Sequence, residues 1–282
     1  MKWIVKKIIN FFNETGSIFA WFLYFLYNHK WTAKLKPIGE KVIIAGNGPS
    51  VGTFDFGDAA AKGYSFLCVN FFALDEERFF ALKPSYYCII DKALYSRAYC
   101  KDNPNTAKLS EVFGKVDWEM TLVCLPGQHF PVNNPDIRIV NINNNPYLGN
   151  LNWVKRCLYN SNKGTFGYQN VINAALFYLL SSNAAQIGLT GVENDWHREL
   201  FVDIKNDVIR ETKHFYGSQF INITQRGDIK KGELFRYFYY YYLTLQKYSL
   251  AASYANLKKI GVINYCANSY IDTFEKKEEI LK

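Results

Sequence analysis

Four imidazoles are available for proton transfer in this chain of 282 residues: His29, His129, His197 and His214. Histidine titrates closest to neutral pH, which suits it to taking a proton from a hydroxyl. His29 lies in a basic stretch and His129 follows a Pro-Gly pair, whereas His197 and His214 belong to a charged region between Asn194 and Gly232. Glu193 and Asp195 form an E-x-D pair of the kind that can hold Mg²⁺ or Mn²⁺. Such pairs are common by chance, and no metal or other cofactor is expected. Six cysteines (Cys68, Cys88, Cys100, Cys124, Cys157 and Cys266) show neither a CxxC spacing nor a nearby histidine. They read as the reduced thiols of a cytosolic protein.

The spacing that most suggests a ligand is KVIIAGNGPSVG, from Lys41. Val42 to Ala45 is a short, wholly apolar run, as in a buried parallel strand. Gly46-Asn47-Gly48-Pro49-Ser50 then reads as a tight turn into a helix. Glycines at 46 and 48 let the backbone approach a ligand with no Cβ in the way, and Pro49 suits a first helical position. The N–H groups of that terminus are expected to face a phosphate. The turn is not a P-loop, because no Gly-Lys-Ser/Thr follows. A dinucleotide fold would also place a carboxylate at the end of the second strand to hold the ribose. Here YSFLCVN ends in Asn70, which argues against NAD and leaves other nucleotides open.

The elements that must position these residues follow from hydrophobic patterning. Residues 41–282 read as an α/β domain with a parallel sheet flanked by helices. Lys163-Gly164-Thr165-Phe166-Gly167 heads an apolar helix, so Thr165 reads as a helix cap or as a phosphate contact. Lys163 reads as a counter-charge to a bound anion or as a solvated lysine. Residues 194–232 read as a lid over the site, and FEKKEEILK at the end of the chain as a solvated helix.

The remaining 1–40 form a basic, aromatic arm. Residues 1–41 hold seven lysines against two glutamates, a concentration that points to an anionic surface more than to nucleic acid. Ile18 to Tyr27 is apolar but shorter than the roughly 20 residues of a bilayer span, so the arm reads as a helix in the headgroup layer or as one packed on the domain. GELFRYFYYYYLTLQKYSL, from Gly232, reads as a helix with aromatics on all faces, which suits burial against the arm, a homo-oligomer interface or lipid.

Five segments in order resemble the Campylobacter-type sialyltransferases, glycosyltransferase family 42. These are VIIAGNGPS with Asn70-Phe71-Phe72 after the second strand, the Lys163–Gly167 turn, the strand ending in Gly191-Val192, His214-Phe215-Tyr216-Gly217, and Asn264–Ser269. They span residues 42 to about 274. The resemblance implies a Rossmann-like (GT-A-type) fold with a small lid, a CMP-activated sugar donor, metal-independent inverting transfer, and a peripheral position on the cytoplasmic face of the bacterial inner membrane. It makes His214 the general base and places Gly46, Asn47, Gly48, Ser50, Asn70, Asp91, Lys163, Thr165, Phe166, Gly167 and Gly191 around the substrates.

Three positions depart from the family pattern: Asp91 and Lys163 stand for its Asn and Arg, and Phe166 for a Ser. The tyrosines that steady its leaving phosphate are not evident in Glu193–Phe201. The expected donor is therefore sialic acid, Kdo or a related acidic sugar on CMP, and the acceptor a glycan or glycolipid of lipopolysaccharide or capsule. A pyrophosphokinase-like or methyltransferase-like enzyme is one rival reading. Another is a catalytically degenerate nucleotide-binding or scaffold protein at the membrane.

Overall fold

The structure is a computed structural model and describes residues 2–28, 32–91, 94, 104–128, 130–214 and 217–281. Its centre is an eight-stranded sheet in which every pairing is parallel. The strands are β1 (Lys41–Ala45), β2 (Tyr64–Val69), β3 (Tyr86–Cys88), β4 (Met120–Cys124), β5 (Ile137–Asn141), β6 (Gln186–Thr190), β10 (Gly261–Asn264) and β11 (Glu275–Lys276), and they lie in the order β11-β10-β6-β1-β2-β3-β4-β5. From β1 the chain builds outward through β2 to β5, then crosses back to lay β6 against the other side of β1. This is a Rossmann-like α/β arrangement with its switch point between β1 and β6.

Val42, Ile43 and Ile44 are fully buried, as a parallel strand covered on both faces requires. Two early helices, α2 (Phe56–Ala61) and α3 (Glu76–Leu82), begin on Asp55 and Asp75, whose carboxylates accept from backbone N–H groups three residues on. These bonds satisfy donors that the first helical turn leaves open. Helices α4 (Pro104–Gly114) and α5 (Asn152–Asn160) follow. After them, α6 (Val171–Ser181) is buried from Ile172 onward, packed between the sheet and the long α8 (Leu234–Lys258). An all-round apolar sequence is what such a helix needs. The aromatic segment expected to be helical from Gly232 is α8, which continues eight residues beyond Leu250.

Residues 200–222 leave the main sheet as a three-stranded antiparallel sheet, β7 (Leu200–Val202), β8 (Val208–His214) and β9 (Gly217–Asn222). With the short α7 (Ile223–Arg226) it has its own small core of Val208, Ile223 and Ile229.

The arm is a single helix, α1 (Lys2–Asn28). Among its described side chains, Glu14, Ile18 and Trp21 meet the domain, at a spacing of four and then three residues and hence on one face. Glu14, almost buried, accepts from the Tyr147 hydroxyl at 3.0 Å and from the Asn150 N–H. Trp21 Nε1 donates to the Lys163 carbonyl at 3.0 Å. Further on, Leu35 enters the main core and the Ile38 N–H donates to the Ser182 carbonyl. No helix among the described residues is long and apolar enough to cross a membrane.

The chain end differs from the expected solvated helix. Glu275–Lys276 is the edge strand β11, and Ile280 packs with Tyr64, Phe66 and Tyr265. Capture of Ile280 by this apolar cluster outweighs the helical propensity of the charged residues around it. None of the described cysteines forms a disulfide; Cys68, Cys88, Cys124 and Cys266 are buried and Cys157 is exposed.

Candidate functional site

A cleft of about 620 Å³ opens at the C-terminal ends of β1, β2 and β6, across the switch point. In open α/β sheets this is the crevice that binds ligands. Its floor is an interlock of two turns. The Gly46 N–H donates to the Thr190 carbonyl and the Gly48 N–H to the Gly191 carbonyl, at 2.8 and 2.9 Å. Gly191 adopts φ +66°, and a Cβ there would meet Val51 at 2.3 Å. The position therefore excludes any side chain on both conformational and steric grounds.

Into this interlock comes Glu193, nine-tenths buried. Its Oε1 accepts from the Ser50 N–H at 2.6 Å. A Cβ on Gly48 would lie 1.6 Å from its Oε2, so the carboxylate uses the space that the missing side chain leaves. The helix terminus expected to receive a phosphate thus receives the chain's own carboxylate. Ser50 Oγ accepts from the Gly191 N–H and donates to Cys266 Sγ. Burial pushes the Cys266 thiol up, and the neighbouring Glu193 carboxylate adds to this.

Around the cleft several buried polar atoms have no hydrogen-bond partner among the described residues: Asn47 Oδ1, Asn70 Oδ1, Glu193 Oε2 and Asn194 Nδ2. Asn47 is held by its other amide atom, which donates to the Val69 carbonyl at 3.3 Å. Asn70 sits at φ +48°, a conformation in which asparagine is favoured among side-chain-bearing residues. Its carbonyl accepts from the Tyr87 hydroxyl, which in turn accepts from the Ala73 N–H. Opposite them, Asn170 caps α6 in a reciprocal bond with Asn173 and donates to the Tyr248 hydroxyl at 3.0 Å. The charged residues among the cleft lining are Asp91, Glu193 and Asp195; no described lysine, arginine or histidine lines it.

A second cavity of about 300 Å³ adjoins the cleft and shares Gln169 and Trp196 with it. It lies between the small sheet and α8 and is lined by Arg210, Tyr237, Tyr240 and Tyr241 among others. Arg210 donates to the Tyr237 hydroxyl, and Tyr241 donates to the Asn194 carbonyl at 2.9 Å. Burial pushes the Tyr241 hydroxyl up to about 12.

Of the residues singled out in the sequence, Gly46, Asn47, Gly48, Asn70, Asp91 and Gly191 line the cleft, and Ser50 braces its floor. Lys163, Thr165, Phe166 and Gly167 do not line it. Phe166 is core, packed on Tyr159 and Phe177. The fully buried Thr165 accepts from the Gly167 N–H, and the Lys163 side chain is exposed near the arm helix. The reason is that α6 starts at Val171 with Asn170 as its cap, so the turn at 163–167 ends one loop too early to reach the cleft. His214 is the last residue of β8, paired with Gly217. Phe215 and Tyr216 of the same motif, and His29 and His129, lie outside the described residues. Gln169, Asn170, Trp196 and Tyr248 are lining residues not anticipated from sequence. Only Gln169-Asn170 carried a signal, as polar residues directly before an apolar helix.

The class defined by sheet order and cleft is a Rossmann-like α/β protein. No protein-family model matches the chain, and no curated protein matches it significantly. Among solved structures, the chain is similar to the Maf glycosyltransferase of Magnetospirillum magneticum AMB-1, at 12% identity and TM-score 0.47 over 89% of this chain. It spans 36% of that protein's length. It is also similar to the sialyltransferase CstII of Campylobacter jejuni in complex with the substrate analogue CMP-3FNeuAc, at 14% identity and TM-score 0.44 over 84% of this chain and 85% of that one. Similarity at this level says nothing of substrate or mechanism.

Proposed function

We propose that the chain is a glycosyltransferase that binds a nucleotide-activated sugar, with CMP as the carrier, in the cleft between β1 and β6. The carrying observation is the set of unpartnered buried atoms on Asn47, Asn70, Glu193 and Asn194 at the switch point. Buried polar atoms are nearly always hydrogen-bonded, and a ligand rich in hydroxyl and amide groups would supply the missing partners. The five ordered segments described above favour CMP among nucleotides and an acidic sugar such as sialic acid or Kdo as the group transferred.

In this reading His214 takes the proton of the acceptor hydroxyl as it attacks the anomeric carbon. The bond from that carbon to the CMP phosphate breaks, and CMP departs with the bonding electrons. The small sheet carrying His214 forms a lid, and the cavity between it and α8 accommodates the acceptor glycan or glycolipid. Exposed Phe12, Phe19, Phe22 and Leu23 on α1 would rest on the membrane surface where such acceptors are assembled. No divalent metal takes part.

Thermal-shift measurement against CMP, CDP, UDP, GDP and S-adenosylmethionine tests the proposal, since a ligand bound only by the native state stabilises it. A clear preference for CMP is expected. Equal shifts from all, or a preference for S-adenosylmethionine, would overturn it.

A second reading, a nucleotide-binding protein without turnover, has one specific observation in its favour. Three carboxylates and no described basic residue line the cleft, a poor setting for a developing negative charge. Release of free CMP from CMP-sialic acid or CMP-Kdo on incubation with acceptor distinguishes the two.

A further inference from the structure

We propose that Glu193 is the residue that reads the ribose of the bound nucleotide, and that it does so from the strand opposite to the one that supplies this function in dinucleotide folds. The inference rests on the nucleotide reading above. In those folds a carboxylate at the end of β2 accepts from the ribose hydroxyls, and here that position is Asn70, whose amide oxygen is one of the unpartnered atoms. The buried carboxylate at this switch point comes instead from the turn after β6. Glu193 is fixed on both sides, by the Ser50 N–H at Oε1 and by the Gly48 backbone beneath Oε2. Its main chain is held as well, since the Glu193 carbonyl accepts from the Tyr270 N–H and the preceding Val192 carbonyl from Ser269 Oγ.

Among the described residues no nitrogen or oxygen donor reaches Oε2; the thiol of Cys266 is a weak neighbour. A carboxylate oxygen is an acceptor only. It therefore fits a hydroxyl pair, which donates, and repels a phosphate, which cannot. This assigns the ends of the ligand. The ribose diol sits over the Gly46–Gly48 turn, and the phosphate points away from it, toward Gln169 and Asn170 at the start of α6. The turn that resembles a phosphate seat is thereby converted to a sugar-hydroxyl seat by a residue 145 positions away.

The test is the affinity of the full chain for CMP, 2′-deoxy-CMP and 3′-deoxy-CMP by titration calorimetry, with UMP and GMP as controls. In the wild-type protein, loss of either hydroxyl is expected to weaken binding about 10-fold or more, as for a hydrogen bond to a charged acceptor. Glu193→Gln keeps an acceptor for the Ser50 N–H and hence the turn, but should shrink the discrimination to about 2-fold. Gly48→Ala, which displaces the carboxylate sterically and leaves its chemistry intact, should shrink it likewise, provided its circular dichroism spectrum is native. Binding of one nucleotide with equal affinity for ribo and deoxy forms, or discrimination unchanged in both variants, overturns this inference alone. No binding of CMP, UMP or GMP overturns it together with the nucleotide reading.

Discussion

The carboxylate of Glu193 fills the space above Gly48, so closely that a Cβ on Gly48 would stand 1.6 Å from Oε2. The two positions therefore have to be read as one unit. Gly48→Ala is expected to cost about 1–3 kcal/mol, as overpacking of a tight site does. Glu193→Ala in the same chain should return part of it. The return is partial because the added Cβ would still lie 2.9 Å from the Gly191 carbonyl oxygen. Urea unfolding of the two single variants and the double variant checks this, with a coupling of about 1 kcal/mol or more expected for residues in contact.

Asn70 separates turn geometry from ligand contact. At φ +48° its backbone suits glycine at least as well as asparagine. Asn70→Gly should therefore keep the Tyr87 hydroxyl bonded to the residue 70 carbonyl and leave the unfolding midpoint near that of the wild type. It removes the amide from the cleft, and CMP affinity should fall about 10-fold. Asn70→Ala should lose both affinity and about 1–2 kcal/mol of stability, from the left-handed conformation.

If His214 is the general base, His214→Ala should lower turnover by roughly 10²–10⁴-fold with CMP affinity nearly unchanged. EDTA should leave wild-type turnover in place. Loss of activity to EDTA with recovery on Mn²⁺ would shift attention to Glu193 and Asp195 as ligands.

Glu14 is the pin between α1 and the domain. Glu14→Ala removes the acceptor of the Tyr147 O–H and of the Asn150 N–H, which should cost about 1–3 kcal/mol. It should also make the segment after α1 more sensitive to protease at low enzyme dose. Phe19→Ser with Leu23→Ser acts on the exposed side of the same helix. That pair should abolish co-flotation with vesicles containing anionic phospholipid while leaving the melting temperature unchanged. Retained flotation would mean that lipid does not contact this face.

Lys247 on α8 is almost buried and lies against Gly167, and burial lowers its pKa below the usual lysine range. The sign follows from linkage. Between the folded and unfolded pKa values the unfolded chain binds the extra proton, so stability rises with pH through that window. Below that window both states are protonated and the folded one carries the full burial penalty. Lys247→Met should therefore raise the melting temperature at pH 7, and its advantage should diminish as pH climbs to 10 and above.

Much of the framework was legible in the sequence because it depends on local pattern. Val42–Ala45 is apolar without interruption and is a doubly covered strand. The glycines at 46 and 48 mark a close approach of two backbones, which is what they serve. The run after Asn170 is apolar on every face, and α6 is buried on every face. Asn70 at the end of β2 could be read as a residue that is not acidic, and its place in the cleft follows from strand direction alone.

What sequence could not supply was which distant segment enters each local opening. Gly48 leaves a space, but nothing near it says whether a phosphate or a side chain takes that space. Glu193 does so only because β6 lies beside β1 in parallel register, bringing Gly191 against Gly46. Thr165 and Phe166 looked like a helix start and became core, since the cap is Asn170 and the intervening loop packs on Tyr159 and Phe177. Ile280 turned a charged tail away from the helix its composition suggests. In each case the deciding energy is burial or hydrogen bonding between residues far apart in the chain, which no local window contains. The sequence by itself determined the strands, the turn and the apolar helix; the tertiary structure decided which chemical group faces the cleft.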